Sequence, residues 1–337
     1  RAAALTTAQV ATLKTTQIHA LTSAQVGALS TSQVGAFSST QVGALTTDNV
    51  AGLSTTQIGA LTSKSVTGLS TAQVGALSST QVEALSPALV GSLNSAQIGA
   101  LSSADIASFS TADIAAINTA ALAGLSTANV AALSSDQAAA LTTAQVATLK
   151  TTQVNALTST QVGALSTSQV GAFNAAQVGA LTTDNVAGLS TTQAAALSAK
   201  SITGLTTAQV GVLGSANVAA LSTAQVGALN STQIGALSSA ELAGLSTADI
   251  AAINTAALGG LSETNVATLS SDQAAALTTA QVATLKTTQI HALTSTQVGA
   301  LSTSQVGTLS AAQVGALTTD NVAGLSTTQA AALSAKS

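Results

Sequence analysis

Apolar side chains return every eight residues along this chain, and polar ones return between them just as strictly. Counting from Leu5, the first position of each octad is Leu, Ile or Phe as far as Leu333, which makes 42 octads without a slip of register. Position six is mostly Val or Ile, and positions seven and eight are mostly Gly or Ala. Position two is Ser, Thr or Asn in 38 octads, the exceptions being Lys14, Lys150, Lys286 and Gly214. Position five is Gln in 26 octads and Asp or Glu in four, at Asp105, Asp113, Glu241 and Asp249.

One long helix does not fit this pattern. Eight residues advance a helix by two turns and about 80°, so the Leu stripe would circle the axis and leave no apolar face. A plain strand would send positions one and six to opposite faces. A short helix restarted in every octad fits both patterns. The hydroxyl or amide at position two caps the free amides of a helix start. Gln or an acid three residues later completes a capping box, and the apolar pair at positions one and six forms the staple around it. Pro87, the sole proline, falls on the first helical position, where a missing N–H costs nothing. Ten of the eleven acidic residues lie in positions three to five, at the positive end of the helix dipole; Glu83 is the exception. Lys14, Lys150 and Lys286 at the cap, and Lys64, Lys200 and Lys336 near the helix start, run against that dipole.

A single octad buries too little apolar surface to offset its ordering entropy, so octads must cover one another. The sequence therefore predicts an all-α repeat, a solenoid or superhelix of very short capped helices restarted every eight residues. A β-solenoid with Ser, Thr and Gln ladders outside is the rival. A longer period overlies the octad. Lys14, Lys150 and Lys286 are spaced by 136 residues, as are Asp48, Asp184 and Asp320. The expected organisation is one continuous array over residues 1–337, built from blocks at about 5–140, 141–276 and a truncated 277–337. The last octad resembles the middle ones, so the array is expected to be a window on a longer polypeptide. Uncapped ends favour head-to-tail growth.

Composition narrows the chemistry. Charged residues make up 5% of the 337, with a net charge of −4 and no Cys. No basic patch exists to neutralise phosphates, so nucleic-acid binding is not expected. No apolar run approaches the ~18–20 residues of a membrane span. His19 and His291 are the only histidines, and each stands alone at position seven. Asp105 with Asp113, and Glu241 with Asp249, sit one octad apart and could line up on adjacent turns as a cation site. Helix capping accounts for them more simply. Phe37, Phe109 and Phe173 occupy the core position of Leu. Asn230-Ser231-Thr232 has the form of an N-glycosylation triplet, but at an octad start it reads as a cap. No hydroxyl has an acid/base partner. No catalytic, cofactor-binding or metal-ligating residue is assigned, no cofactor is expected, and the chain is not expected to be an enzyme.

Octads such as LSTAQVGA, LSTSQVGA and LSSTQVEA resemble the tandem octapeptides of very large secreted bacterial surface proteins of the adhesin or haem-utilisation type. The resemblance covers essentially the whole chain. It implies an extracellular structural protein, a stalk or self-assembling filament whose partner is itself, or the cell surface or glycans. Haem ligation is not carried over, because both histidines are isolated and Tyr, Cys and Met are absent. LTTAQVATL also resembles the first helix of the DNA-reading repeats of TAL effectors. That match ends after one helix, and the base-reading loop and basic surface are missing. A repetitive binding surface for ice or glycan is the other reading of the Ser and Thr rows.

Overall fold

The computed structural model describes residues 4–334 and is all-helical. Forty α-helices occur among these residues, nearly all of four to six residues, with a 3₁₀ turn at Ile202–Gly204 and no strand. The β-solenoid is thereby excluded. Each helix starts at position three, directly after its cap. At Ser134, for example, the side-chain Oγ accepts from the backbone N–H of Gln137 at 3.1 Å. The Ser134 N–H in turn donates to the Gln137 side-chain oxygen at 2.9 Å. The reciprocal pair recurs in most octads and there turns the backbone from extended to helical. Ser134→Ala removes one of the two bonds and should cost about 1 kcal/mol. A lowered midpoint in urea unfolding, followed by circular dichroism, checks this.

The chain divides into two compact units, Arg1–Ala172 and Phe173–Ser337, with the boundary at an octad junction. Within each unit, helices pack on helices three places away along the chain, an interior helix on one before it and one after it. One turn of the winding therefore takes roughly three octads, a number that no local sequence pattern announces. The Leu of position one and the Val or Ile of position six line the interior; Val146 is fully buried and Leu149 is 5% exposed. Phe37, Phe109 and Phe173 fill the same core position.

Four complete octads break the rule at position five with a small residue: Ser65, Ala121, Ser201 and Ala257. Each of them carries Gly at position eight, at Gly68, Gly124, Gly204 and Gly260. With no long amide to accommodate, these octads settle closer to the octad beneath. A Cβ built on Gly124 would lie 1.9 Å from the Ser95 carbonyl oxygen, and one on Gly260 would lie 1.8 Å from that of Ser231. Glycine is required there by close backbone approach, since the backbone itself is ordinary helix exit.

Candidate functional site

The octad's most heavily used side chain is the Gln of position five. Its oxygen completes the capping box, as the sequence predicts. Its nitrogen does something further. Gln145 Nε2 donates to the carbonyls of Ile114 at 2.9 Å, Ala115 at 3.2 Å and Ile117 at 2.6 Å. These carbonyls belong to the end of one octad and the start of the next, one turn below. Gln81, Gln137, Gln161 and Gln281 repeat the arrangement at the same separations of 28, 30 and 31 residues. The side chain is almost wholly inside; Gln145 is 1% exposed. Helix-end carbonyls that would otherwise be buried without a donor are satisfied by it. The amide thus joins two levels of structure, fixing its own helix start and tying one coil to the next.

Substitutions at position five follow from this geometry. Asn is shorter and reaches only the first-position carbonyl: Asn129 Nδ2 donates to Leu101 at 3.0 Å and Asn217 Nδ2 to Leu189 at 3.0 Å. An ionised carboxylate has no proton to donate. Asp113 Oδ2 accepts from the Ser110 N–H at 2.9 Å and the Ser110 hydroxyl at 2.6 Å. Asp113 Oδ1 is the single buried side-chain nitrogen or oxygen without a partner among the described residues. At the Asp105 position the second oxygen accepts from the Ser79 hydroxyl at 2.8 Å. The corresponding residue 26 positions before Asp113 is Pro87, which has no hydroxyl.

The expected alignment of Asp105 with Asp113, and of Glu241 with Asp249, on adjacent turns is corrected here. Stacked octads are three apart, so neighbours in sequence occupy successive sides of one turn. Each carboxylate is drawn to its own cap serine. No group of three or more His, Cys, Asp or Glu side chains suited to a metal occurs among the described residues.

Glu241 shows a compensated change. Its octad stacks on that of Gly214, whose φ of +80° is the only positive value in the chain's described residues. The Gly214 N–H donates to Glu241 Oε1 at 3.1 Å, while Oε2 accepts from the Ser238 N–H at 2.7 Å. In the preceding block the same places hold Ser78, with an ordinary extended backbone, and Asp105. Glu241→Asp should cost about 1–3 kcal/mol by stranding the Gly214 N–H. Adding Gly214→Ser should recover most of that loss by restoring an extended cap whose N–H turns to the position-five side chain of its own octad, as the Ser78 N–H does to Gln81 at 2.8 Å. A double-mutant cycle on denaturant midpoints reads the coupling.

Two of the three cap lysines, Lys150 and Lys286, resolve their conflict with the dipole by leaving their own helix. Lys150 Nζ donates to the Ala123 carbonyl at 2.8 Å and Lys286 Nζ to the Gly259 carbonyl at 2.7 Å. Both acceptors close helices of the turn below, at the negative end of the dipole. The cap N–H of Lys150 still finds Gln153, at 2.9 Å. Lys64 and Lys200 stand near helix starts on the surface, and Lys336 lies outside the described residues. His19 and His291 each end a helix. His19 Nδ1 lies 3.2 Å from the Ala44 carbonyl. His291 borders an open depression of about 260 Å³ with Glu263, Thr287, Thr288 and Ala316. Asn230 acts as a cap, its oxygen accepting from the N–H groups of Thr232 and Gln233, both at 3.0 Å.

Short capped helices, a three-octad turn and an amide tie between turns define a tandem-repeat protein with a solenoid-like all-α fold. Ten stretches match the family model described as ALTTAQ repeat: residues 2–31, 26–55, 54–87, 106–143, 139–167, 163–191, 205–239, 215–247, 242–279 and 275–311. The chain belongs to the ALTTAQ repeat family. No curated protein matches it.

Proposed function

We propose that this repeat array serves as a structural element at the cell exterior, a stalk or self-assembling filament in adhesion or cohesion, with no enzymatic role. The observation that carries this reading is the amide tie. Where position five is Gln, a turn offers amide donors on one side and carbonyl acceptors on the other, so most turns meet the next through the same bonds. Octads can be added in either direction without inventing a new interface, which suits a protein whose job is extension. The likeness of the octads to those of large bacterial surface proteins supports the external setting. The partner in this reading is another copy of the chain, or the cell surface or its glycans. No helix among the described residues is long and apolar enough to cross a membrane.

Negative-stain microscopy and sedimentation of the purified chain over a wide concentration range test the proposal. Elongated particles or filaments are expected. Compact globules of one size at every concentration would overturn it.

The exposed hydroxyls of positions three and four favour a second reading, a repetitive surface for ice or glycan. The position-two hydroxyls are engaged in caps and are poorly placed to serve it. Thermal hysteresis and glycan-array binding separate this reading from the first.

A further inference from the structure

We infer that each unit contains one built-in hinge between turns, at residues 101–124 and 237–260, pinned on one side and open on the other two. Three consecutive octads make roughly one turn, and in these two stretches none of the three has Gln at position five. The sequence there reads Asp105, Asp113, Ala121 in the first unit and Glu241, Asp249, Ala257 in the second. These four acids are also the only buried charged residues among those described.

The consequence follows from donor chemistry. Gln145 alone gives its lower turn three hydrogen bonds from one side chain. Asp113 and Asp249 give none; their bonds stay within their own octads. Asp105 and Glu241 each accept one bond from below, from Ser79 and Gly214. Two sides of the turn are therefore strong at the cap, where a charged acceptor faces the helix start, and weak towards the turn beneath. The third side is the opposite. Asn118 Nδ2 donates to the carbonyls of Gly91 at 3.1 Å and Leu93 at 2.8 Å. Asn254 Nδ2 does the same to Gly227 at 3.3 Å and Leu229 at 2.9 Å. There the close glycines Gly124 and Gly260 seat the octad directly on the backbone below. The other close octads, at Gly68, Gly204 and Gly324, are each followed by Gln at the next position five, Gln73, Gln209 and Gln329, so they form no such turn. An array held this way separates first at its unstapled sides and rotates about the pinned one. The inference concerns the fold itself and stands apart from the extracellular reading.

Hydrogen exchange read by mass spectrometry on the full chain tests it. Residues 101–116 and 237–252 are expected to exchange about tenfold or more faster than the Gln-tied octads of 137–156, given the several inter-turn bonds that they lack. Residues 117–124 and 253–260 are expected to stay slow. Uniform exchange over all these octads would overturn the hinge, and so would a pinned side as fast as the open sides. The double variant Asp105→Gln, Asp113→Gln supplies the missing donors in the first unit. It should slow exchange at 101–116 to the level of 137–156 and leave 237–252 fast, as an internal reference. Unchanged rates at 101–116, with 237–252 intact, would also overturn it.

Discussion

Gly124→Ala is expected to destabilise the first unit by about 3 kcal/mol, the upper end of what overpacking typically costs. A methyl at Gly124 would sit 1.9 Å from the Ser95 carbonyl oxygen, 2.8 Å from its carbon and 3.0 Å from its Cα. All three are backbone atoms at the start of helix Ser95–Gly99, so no rotamer change can clear them. The contact opens only if the turn lifts, and lifting breaks the Asn118 bonds to Gly91 and Leu93 as well. Gly75→Ala is the matched control. Its methyl would meet the Ala100 carbonyl oxygen at 3.5 Å, an ordinary contact, at the end of helix Thr71–Gly75. It is expected to gain about 0.5–1 kcal/mol from the loss of glycine's unfolded-state freedom. Denaturant unfolding followed by circular dichroism should therefore move in opposite directions for the two variants. Equal shifts would show that the close approach at Gly124 is not what demands glycine.

Much of this architecture was legible because capping is local. The cap at position two and its partner at position five are three residues apart, so Ser134 and Gln137 declare themselves in any reading of the octad. The staple of Leu and Val around them is equally near. The tie between turns was not legible in this way. Gln145 meets Ile114 and Ile117, and nothing in a window of eight residues points to separations of 31 and 28. A signal was nevertheless present. A capping box accepts Glu as readily as Gln, yet position five holds Gln 26 times and Glu once. Capping needs only the side-chain oxygen, so that bias shows that the amide nitrogen has work of its own. The turn length had a trace too. Gly43 precedes Gly68 by 25 residues, as Gly99 precedes Gly124, marking pairs of octads three apart that touch through backbone. The same missing rule explains the expected carboxylate pairs. Asp105 and Asp113 line up only if neighbouring octads stack.

The test of the amide's double role is Gln145→Glu. The change keeps the length of the side chain and an oxygen for the cap N–H of Thr142, now 2.7 Å from the amide oxygen. What it removes is the donor. Three carbonyls lose their partner at once, and a negative oxygen takes its place against them in a site that is 1% exposed. The expected cost is about 3 kcal/mol or more, since each stranded buried acceptor costs ~1–3 and a buried charge adds to it. If the Gln were a cap and nothing else, the charged acceptor would instead be neutral or mildly stabilising at the helix start. The two views thus predict opposite signs for one substitution. Acid separates them further. A carboxyl crowded by carbonyl oxygens is favoured in its neutral form, which can donate one bond, so its affinity for a proton is higher folded than unfolded. Stability lost at pH 7 should then return in part towards pH 4, measured as the difference from wild type at each pH. Gln145→Glu matching wild type at pH 7 would mean that the amide nitrogen adds nothing to the joining of turns.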